Sequence, residues 1–332
     1  MRGKEKILIT GGAGFIGSHL ADALIKEGHK VNVIDDLSTG SMENVAGLMD
    51  NENFSFTHGT IMDELTMEKL AEWADTIYHL AAAVGVKYVL DNPLKSMEVN
   101  VKGTEIVLEL AARNRKKVLL ASTSEVYGKN TSSVFTETAD IVLGATKTTR
   151  WSYACAKALD EFLGLAYARE KALPVVIVRF FNTVGPRQTG RYGMVIPRFV
   201  SNALFDLPIP VHGDGKQTRS FTYVGDVVRG IMGLVNDPKA VGEVFNIGNP
   251  EGITIEDLAI KIKKMTGSRS DIVKIPYAQA YGEGFEDMRY RVPDISKIHE
   301  LTGFAPRISL DEILERVIEF ARASMLVGTG KK

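Results

Sequence analysis

A chain of 332 residues, 45% hydrophobic and 24% charged, has ample core for one large domain or two smaller ones. A formal net charge of −1, with Lys and Arg spread along the chain, excludes a basic nucleic-acid patch and a polybasic membrane segment, and one cysteine, Cys155, excludes an intrachain disulfide framework. No apolar run is long enough to span a bilayer, and the first strand begins too early for a signal peptide, so a reducing cytoplasm is the expected compartment.

The first element is the buried strand Ile7-Leu8-Ile9. It runs into Thr10-Gly11-Gly12-Ala13-Gly14-Phe15-Ile16-Gly17 and then into a helical pattern, Ser18–Glu27, that stops at Gly28. Strand, glycine turn and helix form a phosphate cradle. Gly11, Gly14 and Gly17 let the backbone turn sharply, approach a pyrophosphate and pack close to the sheet, while the N–H groups at the helix start face the anion. The next strand, Val31–Ile34, ends in Asp35-Asp36, and Asp35 lies 18 residues past Gly17, where an acid holds the ribose hydroxyls of NAD. A carboxylate there repels a 2′-phosphate, so NAD is expected rather than NADP.

A loop rich in Ser, Thr, Gly and Asn follows, from Leu37 to about Asn53. Strand Phe54–His58 precedes a helix from about Thr66 to Trp73, and strand Thr76–Leu80 runs into Ala81-Ala82-Ala83. Then come helix Pro93–Arg113, strand Val118–Ala121, helix Ser152–Glu170 and strand Pro174–Phe180. Strands alternating with helices predict an α/β fold with a doubly wound parallel sheet of the Rossmann type. After Phe181 the pattern changes. Asn182–Gly193 reads as a loop, Arg219–Val224 and Val244–Ile247 as strands, and Val227–Val235 as a helix. Thr254–Asp257 and Ser309–Glu312 read as capping boxes of two more helices, and the last ten residues as a frayed end. The expected division is an NAD-binding domain over 1–181, with returning segments at about 220–250, and a smaller α/β substrate domain over 182–325.

On the helix from Ser152, Tyr153 and Lys157 share one face. A nearby ammonium and a positive nicotinamide ring would lower the tyrosine pKa and make it a base. Taken singly, the pair also fits a packed tyrosine beside a solvated lysine. Ser122-Thr123-Ser124-Glu125 follows a buried strand, at the end of the sheet where ligands bind. Turn capping would explain its hydroxyls but not its carboxylate, for which a plain surface charge is the competing reading.

With these motifs the chain resembles the extended short-chain dehydrogenases/reductases that modify nucleotide sugars. The likeness runs from Ile7 to about Phe320 and adds His79-Leu80-Ala81-Ala82, Asn100 with Gly103-Thr104, Arg179–Arg187, Arg219–Asp226 and Phe245–Gly248. It implies that Thr123 bonds the C4 hydroxyl of the sugar, Tyr153 is the base, and Lys157 positions Tyr153 and the nicotinamide ribose. It implies cofactor contacts from the turn, including Phe15 and Ile16, from Asp35 and Asp36, and from Leu80, Ala81, Ala82 and Asn100. Thr60 and Ile61 fall where the family often has an acid before an apolar residue. Implied substrate contacts are Asn182 and Arg219, on the sugar diphosphate, and Ser124 and Arg187, with Lys87 and Tyr88 in a segment that departs from the decarboxylase pattern.

Glu125 separates the chain from simple 4-epimerases of the family, and Arg291, in Arg289–Ile295, matches the arginine that holds the uronate end in UDP-glucuronate decarboxylases. An exposed salt-bridge arginine is the competing reading of Arg291. The expected activity is oxidation of C4 by NAD, chemistry on the ketone and return of the hydride, with UDP-glucuronate decarboxylation first. A UDP-sugar 4-epimerase comes second and a 4,6-dehydratase, with Glu125 as base, third. An NAD-binding regulatory protein is the non-enzymatic alternative, against which the Thr123, Tyr153 and Lys157 set argues. Glu125 would shape the ring distortion or relay a proton. Six histidines and one cysteine show no ligand cluster, so no metal is expected. Helices Pro93–Arg113 and Ser152–Glu170 are apolar round much of their circumference, and the resemblance implies a homodimer in which the pair meets its twin as a four-helix bundle.

Overall fold

The computed structural model describes residues 3–190, 194–282 and 285–329. Six strands, β1 (Lys6–Thr10), β2 (Lys30–Asp35), β3 (Phe54–His58), β4 (Thr76–His79), β5 (Lys117–Thr123) and β6 (Val175–Phe180), join strand Glu243–Ile247 in one sheet. Its order is Glu243–Ile247, β6, β5, β4, β1, β2, β3, and every neighbouring pair is parallel. The β-branched runs make this possible because both faces are buried. Ile7 and Ile9 face one core, with helices α1 (Phe15–Lys26) and Val224–Asn236; Leu8 faces the other. That second core is built with α2 (Glu64–Trp73), α4 (Pro93–Arg113) and α5 (Ser152–Lys171), while α3 (Val86–Asp91) lies before α4. The chain reverses its direction of travel across the sheet between β1 and β4, which opens a crevice at their carboxyl ends.

Several boundaries differ from the sequence expectation. Helix α2 starts at Glu64, because Asp63 caps it by accepting a bond from the Thr66 N–H at 3.3 Å. The expected strand Arg219–Val224 is interrupted at Phe221, where the chain changes partners. Thr218–Ser220 pairs with 252–254 and 290–291, whereas Thr222–Tyr223 pairs with Thr183–Val184. Val224 already belongs to the following helix. The capping box at Ser309 forms in both directions with Glu312, and its helix continues to Thr329, through most of the stretch expected to fray; 330–332 lie outside the described residues. The expected loop to Gly193 contains the short strand Thr183–Val184, and its end, 191–193, also lies outside the described residues. Among the described residues no helix is long and apolar enough to cross a membrane, and no group of three or more His, Cys, Asp or Glu is placed to hold a metal ion.

Candidate active site

The crevice is a cavity of about 490 Å³ that runs from the glycine turn across the ends of β1, β4, β5 and β6 to the segment 277–291. At one end, Gly11 sits at φ +72°, and a Cβ on it would stand 2.8 Å from the Ala81 backbone. A Cβ on Gly17 would strike the Gly11 carbonyl, so the helix start packs directly on the turn. Gly11, Gly14, Phe15, Ile16 and Gly17 all line the cavity.

Asp35 ends β2 and stays buried. Its Oδ2 accepts from the Ala13 N–H at 3.0 Å and its Oδ1 from the Leu37 N–H at 2.8 Å. Burial raises its pKa, with those backbone bonds opposing. With the Gly14 N–H also facing the carboxylate, acceptor capacity remains for a hydroxyl donor. Asp36, Thr60, Ile61, Leu80, Ala81 and Ala82 line the same half. A cradle that only glycine fits, with a carboxylate beside it, suits a dinucleotide without a 2′-phosphate.

At the other end, Thr123 caps the turn after β5 by accepting from the Glu125 N–H at 3.2 Å. Tyr153 reaches across from α5 to face Thr123, and both line the cavity. Lys157 lies one helical turn further on, buried, with its Nζ 2.6 Å from Asp160 Oδ2. Burial pushes the Tyr153 phenol up, and the Glu125 and Asp160 charges push it further. Thr123 and Arg150 pull the other way. The Lys157 ammonium, expected to favour the phenolate, is held by the Asp160 carboxylate, whose charge opposes ionisation of the phenol.

Glu125 sits in a cage of arginines. Burial raises its pKa, yet Arg150 first and Arg291 next overcome that and hold it down at about 2. Its two oxygens meet the Arg150 and Arg291 guanidiniums, and Arg291 also donates to Asn182 Oδ1. Arg219 pairs with Asp287 at 2.8 Å, and Asp287 lies 3.8 Å from Arg150. Within this cluster three guanidiniums face two carboxylates, an excess of one positive charge.

The matching family model is GDP-mannose 4,6 dehydratase, over residues 8–317. The chain belongs to that family. A UDP-N-acetyl-alpha-D-glucosaminuronate decarboxylase of Bacillus cytotoxicus is 43% identical over 96% of this chain and 98% of its own. A UDP-glucuronic acid decarboxylase 1 of Danio rerio is 37% identical over 96% of this chain and 72% of its own. The crystal structure of a UDP-glucuronic acid 4-epimerase from Bacillus cereus, in complex with UDP-glucuronic acid and NAD, superposes with a TM-score of 0.87 and 31% identity, covering 96% of this chain and 99% of that one.

Within this dehydratase-family member, three expected contacts lie elsewhere. Lys87 is exposed and pairs with Asp91 at 2.8 Å, outside the lining, although its neighbour Tyr88 is in it. Arg187, at φ +70°, turns away to Asp22 at 2.8 Å. Asn100 is buried behind the lining, where its amide brackets Ala83, accepting from the N–H at 2.7 Å and donating to the carbonyl at 3.2 Å. It shapes the wall without forming it. Ser124, Asn182, Arg219 and Arg291 do line the cavity. Sequence reasoning missed Arg150 and Asp287. Arg150 stands three residues before Tyr153, in a single 3₁₀ turn whose residues carry no periodicity to read. Asp287 meets Arg219 from 68 residues away, and no local pattern signals that.

Proposed function

We propose that this chain is an NAD-dependent nucleotide-sugar decarboxylase acting on a UDP-linked uronate. The observation that carries the reading is that two guanidiniums, Arg150 and Arg291, share the single carboxylate of Glu125, a surplus that suits one more carboxylate. NAD supplies the acceptor and donor of a hydride at C4. Gly11, Gly14, Gly17 and Asp35 would hold it, and Lys157 would reach the nicotinamide ribose.

Tyr153 takes the proton of the C4 hydroxyl, steered by Thr123, as C4 becomes a ketone. That ketone is β to the carboxylate carbon. The C5–C6 bond then breaks, carbon dioxide leaves, and the electron pair passes into an enolate that Thr123, Tyr153 and Arg291 stabilise. C5 takes a proton from solvent water, and as the hydride would return from bound NAD to C4, Tyr153 returns its proton to the C4 oxygen. A Glu125 held ionised down to about pH 2 supports a role in fixing the arginines and the ring, and argues against proton relay. The same low basicity weighs against a dehydratase in which Glu125 removes the C5 proton. Epimerisation at C4 is the second reading, favoured by the likeness to a 4-epimerase that binds a uronate.

We assign residues 1–181, with the returning strand Glu243–Ile247, to cofactor binding and 182–325 mainly to the nucleotide sugar, in a cytoplasmic enzyme. We also infer a homodimer through α4 and α5. Leu94 and Phe162 are 71% and 67% exposed, and Met97 and Leu159 stand exposed beside them on the same two helices. Exposed apolar side chains on two helices that pack against each other support a two-fold partner. Incubation with UDP-glucuronate, UDP-N-acetylglucosaminuronate and UDP-glucose, read by mass, tests the activity. Loss of carbon dioxide from a uronate supports decarboxylation, an isomer supports epimerisation, loss of water supports dehydration, and no turnover of any sugar refutes the enzyme reading.

A further inference from the structure

Tyr153, Lys157 and Asp160 lie on one stripe of α5, at i, i+4 and i+7. The first two carry the proposed chemistry, and Asp160 has no part in it. Yet Asp160 is fully buried, and its Oδ2 takes the Lys157 ammonium at 2.6 Å. Its Oδ1 has no hydrogen-bond partner among the described residues. The Thr104 hydroxyl faces it from α4 but donates to the Asn100 carbonyl at 2.6 Å.

The other groups around this pair are already committed. His79, on β4, lies 3.1 Å from Thr104 Oγ1 and 2.8 Å from Thr10 Oγ1, and burial, with Lys157 second, pushes it down to about 3, so it is neutral. Glu161 is taken by Arg179 through bonds of 2.7 and 2.9 Å. On the Tyr153 side, Glu125 faces the phenol from the turn after β5 and Arg150 from the 3₁₀ turn. The Lys157 charge is therefore balanced locally by Asp160. A buried ion pair is a poor source of stability, because desolvation offsets much of its Coulomb attraction. The placement fits an electrostatic task better than a structural one.

We propose that Asp160 is a positioning residue that holds Lys157 as a neutral pair, so that Lys157 alone does not activate Tyr153 and the positive ring of bound NAD is needed as well. The inference rests on Tyr153 being the C4 base. It means that the base forms only in the loaded site, which keeps a reactive phenolate out of the empty enzyme.

The test reads tyrosinate absorbance in NAD-free protein, as the difference between wild type and Tyr153→Phe across a pH titration. Tyr153 should remain un-ionised below about pH 10. Ionisation near neutral pH overturns the proposal without any Asp160 variant. In Asp160→Asn, measured against the double variant with Tyr153→Phe, ionisation should move down by about one pH unit or more. The acid limb of kcat/KM for sugar turnover should move down by a similar amount. A limb that stays in place while activity falls makes Asp160 a structural strut and overturns the proposal. If Asp160→Asn does not fold, the double variant Lys157→Met with Asp160→Asn, which removes both charges, decides: NAD-free Tyr153 should ionise where it does in the wild type, and a rise of about one pH unit or more shows Lys157 activating it alone and overturns the proposal. Full activity in Tyr153→Phe is a distinct failure, that of the base assignment itself.

Discussion

Replacing Glu125 by Gln keeps the shape of the side chain and removes its charge. In the protein this leaves two guanidiniums, Arg150 and Arg291, facing a neutral amide in a buried cage. The Glu125 pKa falls from 4.5 to about 2, and such a drop corresponds to about 3 kcal/mol of folding stability. That agrees with the ~3–5 kcal/mol typical of removing one partner of a buried ion pair. The folded-state pKa is depressed, so the contribution is fully present above the unfolded value of 4.5 and is lost as pH falls toward about 2. Urea unfolding of wild type and Glu125→Gln, followed by Trp fluorescence, should differ by about 3 kcal/mol at pH 7, with a melting temperature lower by about 4 °C. Trp151, next to Arg150 and bonded to Glu286 at 2.8 Å, lies beside the cage and suits the readout. The gap should narrow steadily below about pH 4.5. UDP-glucuronate should stabilise the variant more than the wild type, because its carboxylate meets guanidiniums left without a partner. Equal stability at pH 7, or a gap that does not change with pH, would refute the cage.

Tyr153→Phe should retain NAD and lose turnover by several decades, about 10³-fold or more, measured by product mass; retention of more than about a tenth of wild-type turnover would remove Tyr153 as the base. Asp35→Asn should raise NADP affinity relative to NAD by about tenfold, by loss of repulsion at the 2′ position, and titration of both cofactors on wild type and variant reads it. A wild type that binds the two equally contradicts the role given to Asp35. Light scattering at micromolar concentration should give a dimer mass for the wild type and a monomer mass for Leu159→Glu with Phe162→Glu; a monomeric wild type with full activity ends the bundle proposal.

Much of this was legible in the chain because the signals are local. The glycine turn, Asp35, the Thr123 turn and the Tyr153–Lys157 face each lie within one strand–turn–helix unit, and short-range sterics decide such units. The strands of the parallel sheet read as apolar runs because both faces are covered. What failed to show was tertiary. The break at Phe221 depends on three partner strands, and the arginine cage is assembled from residues 125, 150 and 291, brought together by the topology. Asp160 carries no local signal, being one polar residue on a helix otherwise apolar round much of its circumference. Lys87, Arg187 and Asn100 were carried by resemblance, and each is claimed by a nearer partner: Asp91, Asp22 and the Ala83 backbone.

The return of Glu243–Ile247 to the edge of β6 has a consequence for synthesis. The strand lies 63 residues beyond the end of β6 and pairs with it over its whole length, from Glu243 opposite Val176 to Ile247 opposite Phe180. Its Asn246 also accepts from the Tyr127 hydroxyl at 2.7 Å and donates to the Phe135 carbonyl at 2.9 Å, tying down the loop after β5. A nascent chain that has completed the dinucleotide cradle therefore still carries an open, apolar strand edge. It keeps that edge until the second half has emerged, and open edges of this kind template wrong pairings. Ribosome-arrested chains ending before and after residue 247 should differ sharply in protease resistance across β6. The enzyme is committed to late closure, and its cofactor, by binding the finished cradle, cannot substitute for the missing strand.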